Sequence, residues 1–297
     1  MSEWKKGSRK GMLKDRIEEY QDSIIQHGSY NDRIYLMRLA DEASAHFPEQ
    51  LIQLAKSKGY SKIFAKVPED ARADFLRAGF VIEAEVPGFF SGQTTACFMA
   101  YYLKKSRDQE DDVAQLENIL HIAEEKRKKV VASLDERFQL RRCLQDDVSE
   151  MATIYQQVFT SYPFPIHEEA YLLETMQTHI IYFGAEIDGK LIALASAEMD
   201  REAAHVEMTD FATLPEQAGH NLSLHLLQQM EQAMQEEKMY TAYTIARAAS
   251  PAMNITFARA GYTFAGRLKN NTNISGNIES MNVWYKAPVD LSETTHN

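Results

Sequence analysis

The sequence predicts an α/β protein, α+β in the sense of a mixed central sheet flanked by helices, built in two unequal halves. Three observations lead there. Period-two apolar runs alternate with helix-period runs along most of the chain. A densely charged segment of helical periodicity divides it near residue 107. A phrase from the first half recurs in the second.

In the first half, residues 32–39 (DRIYLMRL) read as a strand, and after Pro48 the recurrence of Leu51, Leu54 and Ala55 reads as a helix that ends near Gly59. A strand at 61–67, a helix at 69–78 stopped by Gly79, and β-rich runs at 80–86 and 95–103 follow. That alternation favours a sheet covered by helices. Residues 107–129 place Val113, Leu116, Leu120 and Ala123 on one helical face, with an acidic start and a basic end that suit the helix dipole. The division expected is therefore a first domain at 1–106, a charged connecting helix within 107–136, a second domain at 137–288 and a disordered tail at 289–297.

The second half reads β-α-α-β-β-β-α-β-α-β-β: strand 138–143, helices 147–159 and 168–178, strands 180–187 and 190–199, strand 205–213, a helix with the apolar face Leu222, Leu226, Leu227, Met230 and Met234, strand 240–246, helix 252–260, and strands 262–268 and 280–285. Asp188-Gly189 between two apolar alternations is the strongest hairpin signal in the chain. The phrase IFAKVPEDARADFLRAGF at 63–80 is echoed by IARAASPAMNITFARAGY at 245–262, which makes the first half a truncated copy of the second. The alternative is the common habit of ending a helix in Gly before a strand. The first half lacks a counterpart of residues 215–227, so packing, homodimer formation or shaping of a pocket is its expected role.

Acidic residues outnumber basic ones by 43 to 32, which argues against a nucleic acid or an anionic membrane as partner and for a small soluble substrate. Cys97 and Cys143 stand far apart beside apolar neighbours, the pattern of reduced thiols in a cytoplasmic protein. Lys5, Lys6, Arg9 and Lys10 precede no apolar export segment, and no apolar run approaches the roughly 20 residues of a bilayer span. His220 and His225 do not share a helix face, so no metal is expected.

The chemistry concentrates in residues 211–227, FATLPEQAGHNLSLHLL. A tight loop feeding a helix N-terminus presents unpaired N–H groups, which together with the helix dipole suit a pyrophosphate. Gly219 permits close approach, Asn221 tolerates a left-handed backbone and Ser223 is small. An ordinary helix start is the competing reading of the loop by itself.

With these elements in place, the second half resembles the GNAT acetyltransferase superfamily. The acyl-CoA loop of that family is usually Arg or Gln followed by Gly-x-Gly-x-Gly/Ala; here Ala218-Gly219-His220-Asn221-Leu222-Ser223 stands in its place. Phe257 stands where the family often has a Tyr that protonates the leaving thiolate. Nearly the whole chain is similar to the bacterial beta-lysine N-acetyltransferases, through residues 22–37 (DSIIQHGSYNDRIYLM), 59–68 (GYSKIFAKVP), 270–276 (NNTNISG) and 279–286 (ESMNVWYK). The resemblance implies acetyl-CoA as co-substrate, beta-lysine as acceptor and the compatible solute N-epsilon-acetyl-beta-lysine as product. It implies a cofactor site at Phe211, Ala212, Thr213, Gln217, Ala218, Gly219, His220, Asn221, Leu222, Ser223, Asn254 and Phe257.

A lysine-like ammonium, with a pKa of about 10.4, must lose a proton before it attacks a thioester. Glu207 is the favoured base and Asp210 an ammonium ligand. Alternation sends residues three apart to opposite faces, and the family implies a bulge on this strand; one of the two carboxylates is expected to face the pocket. A backbone N–H near Ala212 or Thr213 is the oxyanion donor, and Tyr243, Ser250 or Tyr262 the proton source for the thiolate if it does not leave unassisted. Arg247, Arg267 or Lys269 is the candidate for the acceptor's carboxylate, with Glu279, Asn270, Asn271 and Asn273 for its distal amine. The three Asn residues read equally well as a polar turn. Tyr162 and Phe164, in the segment YPFPI, wall the amine channel. Two further readings are a different acceptor, namely a polyamine, free lysine or protein lysine, and a non-catalytic acyl-CoA-binding protein.

Overall fold

The computed structural model describes residues 15–127, 133–274 and 276–287. The basic residues near the start, the end of the charged segment past Arg127 and the tail at 289–297 lie outside the described residues. The first half comprises β1 (Arg16–Tyr20), β2 (Ser23–Gly28), β3 (Arg33–Arg38), α1 (Phe47–Lys58), β4 (Lys62–Pro68), α2 (Arg72–Arg77), β5 (Val81–Phe90) and β6 (Thr94–Tyr102). The helix α3 (Val113–Lys126) leads to the second half. There follow β7 (Gln139–Arg142), α4 (Val148–Val158), α5 (Glu169–Thr178), β8 (Ile180–Ile187), β9 (Lys190–Asp200), β10 (His205–Thr213), α6 (Leu222–Glu236), β11 (Thr241–Arg247), α7 (Pro251–Arg259), β12 (Thr263–Ile274) and β13 (Asn277–Lys286).

Local signals account for most boundaries. Gly59 and Gly79 take positive φ behind α1 and α2, the usual way for a helix to stop. Asp188 and Gly189 both have positive φ, as a two-residue turn matching the strand twist requires. β1 and β2 carried no separate strand reading in the sequence. β12 continues to Ile274, so Asn270, Asn271 and Asn273 lie in a strand and not in a turn. On α3 the buried residues are Leu116, Ile119 and Ala123, whereas Val113 is exposed; the apolar stripe is rotated from the expected one and packs on α7.

Among the described residues one sheet of 13 strands runs through both halves, in the order β1-β2-β3-β4-β6-β5-β12-β13-β11-β10-β9-β8-β7. Its parallel pairs are β3 with β4 and β10 with β11, each joined by a crossover helix, α1 or α6. Without β7, α4 and α5, the second half has the topology of the first. The ladder irregularities also correspond: β5 shifts against β6 between Ile82 and Ala84 and between Val86 and Phe90, while β12 shifts against β13 between Phe264 and Gly266 and between Leu268 and Thr272. With Phe80 laid on Tyr262 these are the same positions. The preceding strands slide, however: Phe64 faces Ala100 and Tyr243 faces Tyr285, so Phe64 corresponds to Tyr243, not to Ala246 as the sequence echo implies.

The halves join where Ala84 pairs with Gly266, the same position in each copy. Only glycine fits there, because a Cβ on Gly266 would lie 2.1 Å from the Glu83 carbonyl oxygen. Helices α1 and α2 cover a face of the first half, with Phe47, Leu51 and Phe75 in that core. In the second half, α6 and α7 cover one face and α4 and α5 the other. A further apolar cluster brings together Phe64, Phe89 and Phe98 of the first half and Tyr243, Met281 and Val283 of the second. Tyr35, Phe64, Tyr243 and Met281 of this cluster also line a cavity that is thus shared by both halves.

Candidate active site

Strands β10 and β11 pair over His205–Glu207 against Thr241–Tyr243, and both strands then continue beyond the pairing. A wedge opens between them. On its other edge β10 is paired with β9, with an irregularity between Thr209 and Ala212 where Asp210 adopts φ +54°. The bulge overrides simple alternation, and Glu207 and Asp210 both line a cavity of about 190 Å³. The expectation that only one would face the pocket is corrected.

Burial, followed by repulsion from Glu198, pushes the Glu207 carboxyl up to about 7; Lys66 and a 3.0 Å hydrogen bond donated by the Tyr243 hydroxyl act the other way. Burial pushes Asp210 up to about 6, against hydrogen bonds donated by Ser196 (2.6 Å) and Tyr162 (2.5 Å). A carboxyl poised near neutrality in a cavity is suited to proton transfer.

Past the bulge, the Leu214 N–H donates to the Ile192 carbonyl on β9 at 2.9 Å. Successive amides of an extended strand point to opposite edges, so the Thr213 N–H faces the wedge and that of Ala212 faces β9. Ala212 itself is buried, as is Leu222 at the start of α6. Between them Gln217 is half-buried and Ala218, Gly219, His220 and Asn221 are exposed. Gly219 has φ +93° and Asn221 φ +56°, the conformations expected for a tight loop into a helix. The Asn221 carbonyl accepts from Leu224 and His225, so the N–H groups of Leu222 and Ser223 lie at the open end of α6. The Phe211 ring meets Phe257 edge to face at 5.6 Å, and both line the cavity.

Several residues expected at the site are committed elsewhere. Ser250 caps α7, accepting from the Met253 N–H, and does not line the cavity. Asn254 is buried and turned inward: it donates to the carbonyls of Arg247 (3.0 Å) and Ser250 (2.7 Å) and accepts from Asn282 (2.8 Å) and Trp284 (2.9 Å). That set leaves it no group for a cofactor. Arg247 lines the cavity but is held by both oxygens of Glu279, at 2.7 and 2.9 Å. Arg267 pairs with Glu117 and Lys269 with Asp108, on the flank next to α3. Asn270 donates to the carbonyls of Ser106, Arg107 and Gln109, and Asn273 to that of Tyr30, so both fasten β12 to the first half. Of the three Asn residues, Asn271 lines the cavity. Tyr162 and Phe164 also line it.

The sequence did not single out Arg33, Lys66 or Glu198, which also line the cavity. A faint signal exists: Arg33, Tyr35 and Met37 share one strand face, as do Phe64 and Lys66. Lys66 lies over the rings of Phe89 and Tyr243, and burial lowers its pKa while Glu207 and Glu198 oppose the shift.

A splayed strand pair, an open helix N-terminus and a buried carboxylate poised for proton transfer are the parts of an N-acyltransferase. The chain belongs to the GNAT acetyltransferase family. The model of the Acetyltransferase (GNAT) family matches residues 148–262. The beta-lysine N(6)-acetyltransferase of Methanococcus maripaludis is 38% identical over 272 residues, which cover 92% of this chain and 98% of that protein. The N-acetyltransferase YodP of Bacillus subtilis is 30% identical over 93% of this chain and 99% of its own length. The beta-lysine N(6)-acetyltransferase of Methanosarcina mazei is 41% identical over 54% of this chain and 59% of its own length.

Proposed function

We propose that the protein transfers an acetyl group from acetyl-CoA to the terminal amine of beta-lysine. The observation that carries this reading is that the likeness to the M. maripaludis enzyme runs through both halves, and both halves build the cavity. The two buried free thiols support a cytoplasmic setting, and the acceptor supports a role for the product as a compatible solute.

Residues 218–223 fit an acyl-CoA diphosphate, because their loop is exposed, Gly219 has open space where a side chain would stand, and the end of α6 offers main-chain donors. Phe211 and Phe257 would wall the adjoining wedge. Acetyl-CoA, when bound, supplies a thioester carbonyl that an amine can attack. Glu207, ionised above about 7, accepts the ammonium proton. Asp210, fixed by Tyr162 and Ser196, holds the ammonium in line. The Thr213 N–H is the oxyanion donor that strand alternation selects. Among Tyr243, Ser250 and Tyr262, Tyr243 has its hydroxyl bonded to Glu207 within the cavity, which supports it as the proton donor to the thiolate.

Thiol release is to be followed with acetyl-CoA and, in turn, beta-lysine, lysine and spermidine. Beta-lysine is expected to give the highest kcat/KM. A preference for spermidine would overturn the assignment of acceptor.

A further inference from the structure

The acceptor proposed above carries a carboxylate, and the arginine first expected to hold it, Arg247, is engaged by Glu279. Arg33 of β3 is differently placed. It is only 4% exposed and lines the cavity, with its guanidinium carbon 5.5 Å from the Tyr35 ring and 5.6 Å from that of Phe64. One of its nitrogens, Nη1, donates to the Asn271 carbonyl and, at 3.3 Å, to the Thr272 hydroxyl. Its Nε has no partner, and neither has the buried Oδ1 of Asn271 beside it. Among the described residues no carboxylate forms an ion pair with Arg33; Arg107 repels it, and Asp15 and Glu83 attract it without touching it.

A buried cation is costly without an anion to balance it. Arg247 and Lys62, at or near the cavity, each hold a carboxylate, Glu279 and Glu83, and Lys66 lies in the field of Glu207 and Glu198 within the cavity. Among the described residues Arg33 has no carboxylate in contact, and the two that act on it, Asp15 and Glu83, do not line the cavity. The cavity is therefore polarised, with carboxylates from β9 and β10 at one wall and a guanidinium from β3 without an ion-pair partner at another.

We propose that Arg33 anchors the carboxylate of the acceptor, with Asn271 Oδ1 receiving the neighbouring ammonium of a β-amino acid head, so that the first half of the chain sets acceptor specificity. The inference rests on the amino-acid acceptor reading and deepens it. A guanidinium offers two donors in the plane of a carboxylate, and an acceptor beside it suits an ammonium two carbons along the acceptor chain.

The test compares acceptors that differ only by the carboxylate: beta-lysine with 1,4-diaminopentane, and lysine with 1,5-diaminopentane. In the wild type the carboxylate-bearing member of the better pair is expected to win by roughly 10- to 100-fold in kcat/KM, the worth of a hydrogen-bonded charge pair. In R33M that ratio is expected to collapse toward one, chiefly through KM, with R33K between the two. If the lysine pair shows this behaviour and beta-lysine is not used, the assignment of beta-lysine falls while the anchor stands. Equal use of both members by the wild type overturns the anchor without any variant, as does a ratio unchanged in folded R33M or R33K.

Discussion

The hydroxyl of Tyr243 donates a 3.0 Å hydrogen bond to Oε2 of Glu207, joining the two residues of the last pair before β10 and β11 separate. The bond favours the ionised form of Glu207 and so opposes burial. Tyr243→Phe removes that help and is expected to raise the Glu207 pKa further. The pH at which kcat/KM levels off should move upward, on top of a loss at every pH from the missing proton donor to the thiolate. A profile lowered throughout but with its midpoint unmoved would show that the hydroxyl does not tune Glu207.

The same carboxyl makes a prediction about stability. Its folded pKa of about 7 lies above its ordinary value of 4.5, so between those values the folded protein binds more protons than the unfolded chain. Stability from this group is then lost as pH rises through that window. Glu207→Gln, which never ionises, is expected to melt a few degrees above the wild type at pH 8 and level with it at pH 4.5. Thermal unfolding at the two pH values checks the sign.

At the seam of the sheet, Gly266→Ala would push a methyl carbon to 2.1 Å from the Glu83 carbonyl oxygen and 2.8 Å from the Ala84 Cα. Both neighbours are fixed parts of β5, so the strands must part. Aggregation, or a melting temperature lower by 10 °C or more, is expected, whereas Gly189→Ala, with open space around it, should cost far less.

Asn254 locks the core, its amide spent on Arg247, Ser250, Asn282 and Trp284. Asn254→Ala would leave the Trp284 indole N–H and the Asn282 amide without their acceptor. A loss on the order of 2–4 kcal/mol is expected from two buried groups left unpaired. Denaturant unfolding measures it; the affinity of the remaining folded protein for acetyl-CoA should be near that of the wild type.

The element order of the second half was legible because local chemistry marks each boundary: Asp188-Gly189 turns, Pro215 ends a strand, and the apolar face of α6 repeats at helical spacing. The tight turn through Gly219 and Asn221 into α6 was legible for the same reason. Destinations of polar side chains were not. Asn254, Asn270 and Asn273 are ordinary amides in the sequence, and only the fold decides that they bind Trp284, the Ser106–Gln109 turn and Tyr30. The placement of Glu207 and Asp210 together depends on a backbone excursion at Asp210 that alternation cannot foresee. Arg33 and Lys66 reach the cavity from the other half of the chain, a relationship that no spacing encodes.

Transfer of the ammonium proton to Glu207, as proposed above, is read from the pH profile of Glu207→Gln. The wild-type kcat/KM is expected to rise with pH and level off above about 7, following the carboxyl. The variant is expected to lose roughly 10²- to 10⁴-fold at pH 7 and to keep rising toward the amine's own pKa of about 10.4, with acetyl-CoA affinity unchanged. Profiles that run parallel, with the variant within threefold of the wild type throughout, would contradict it.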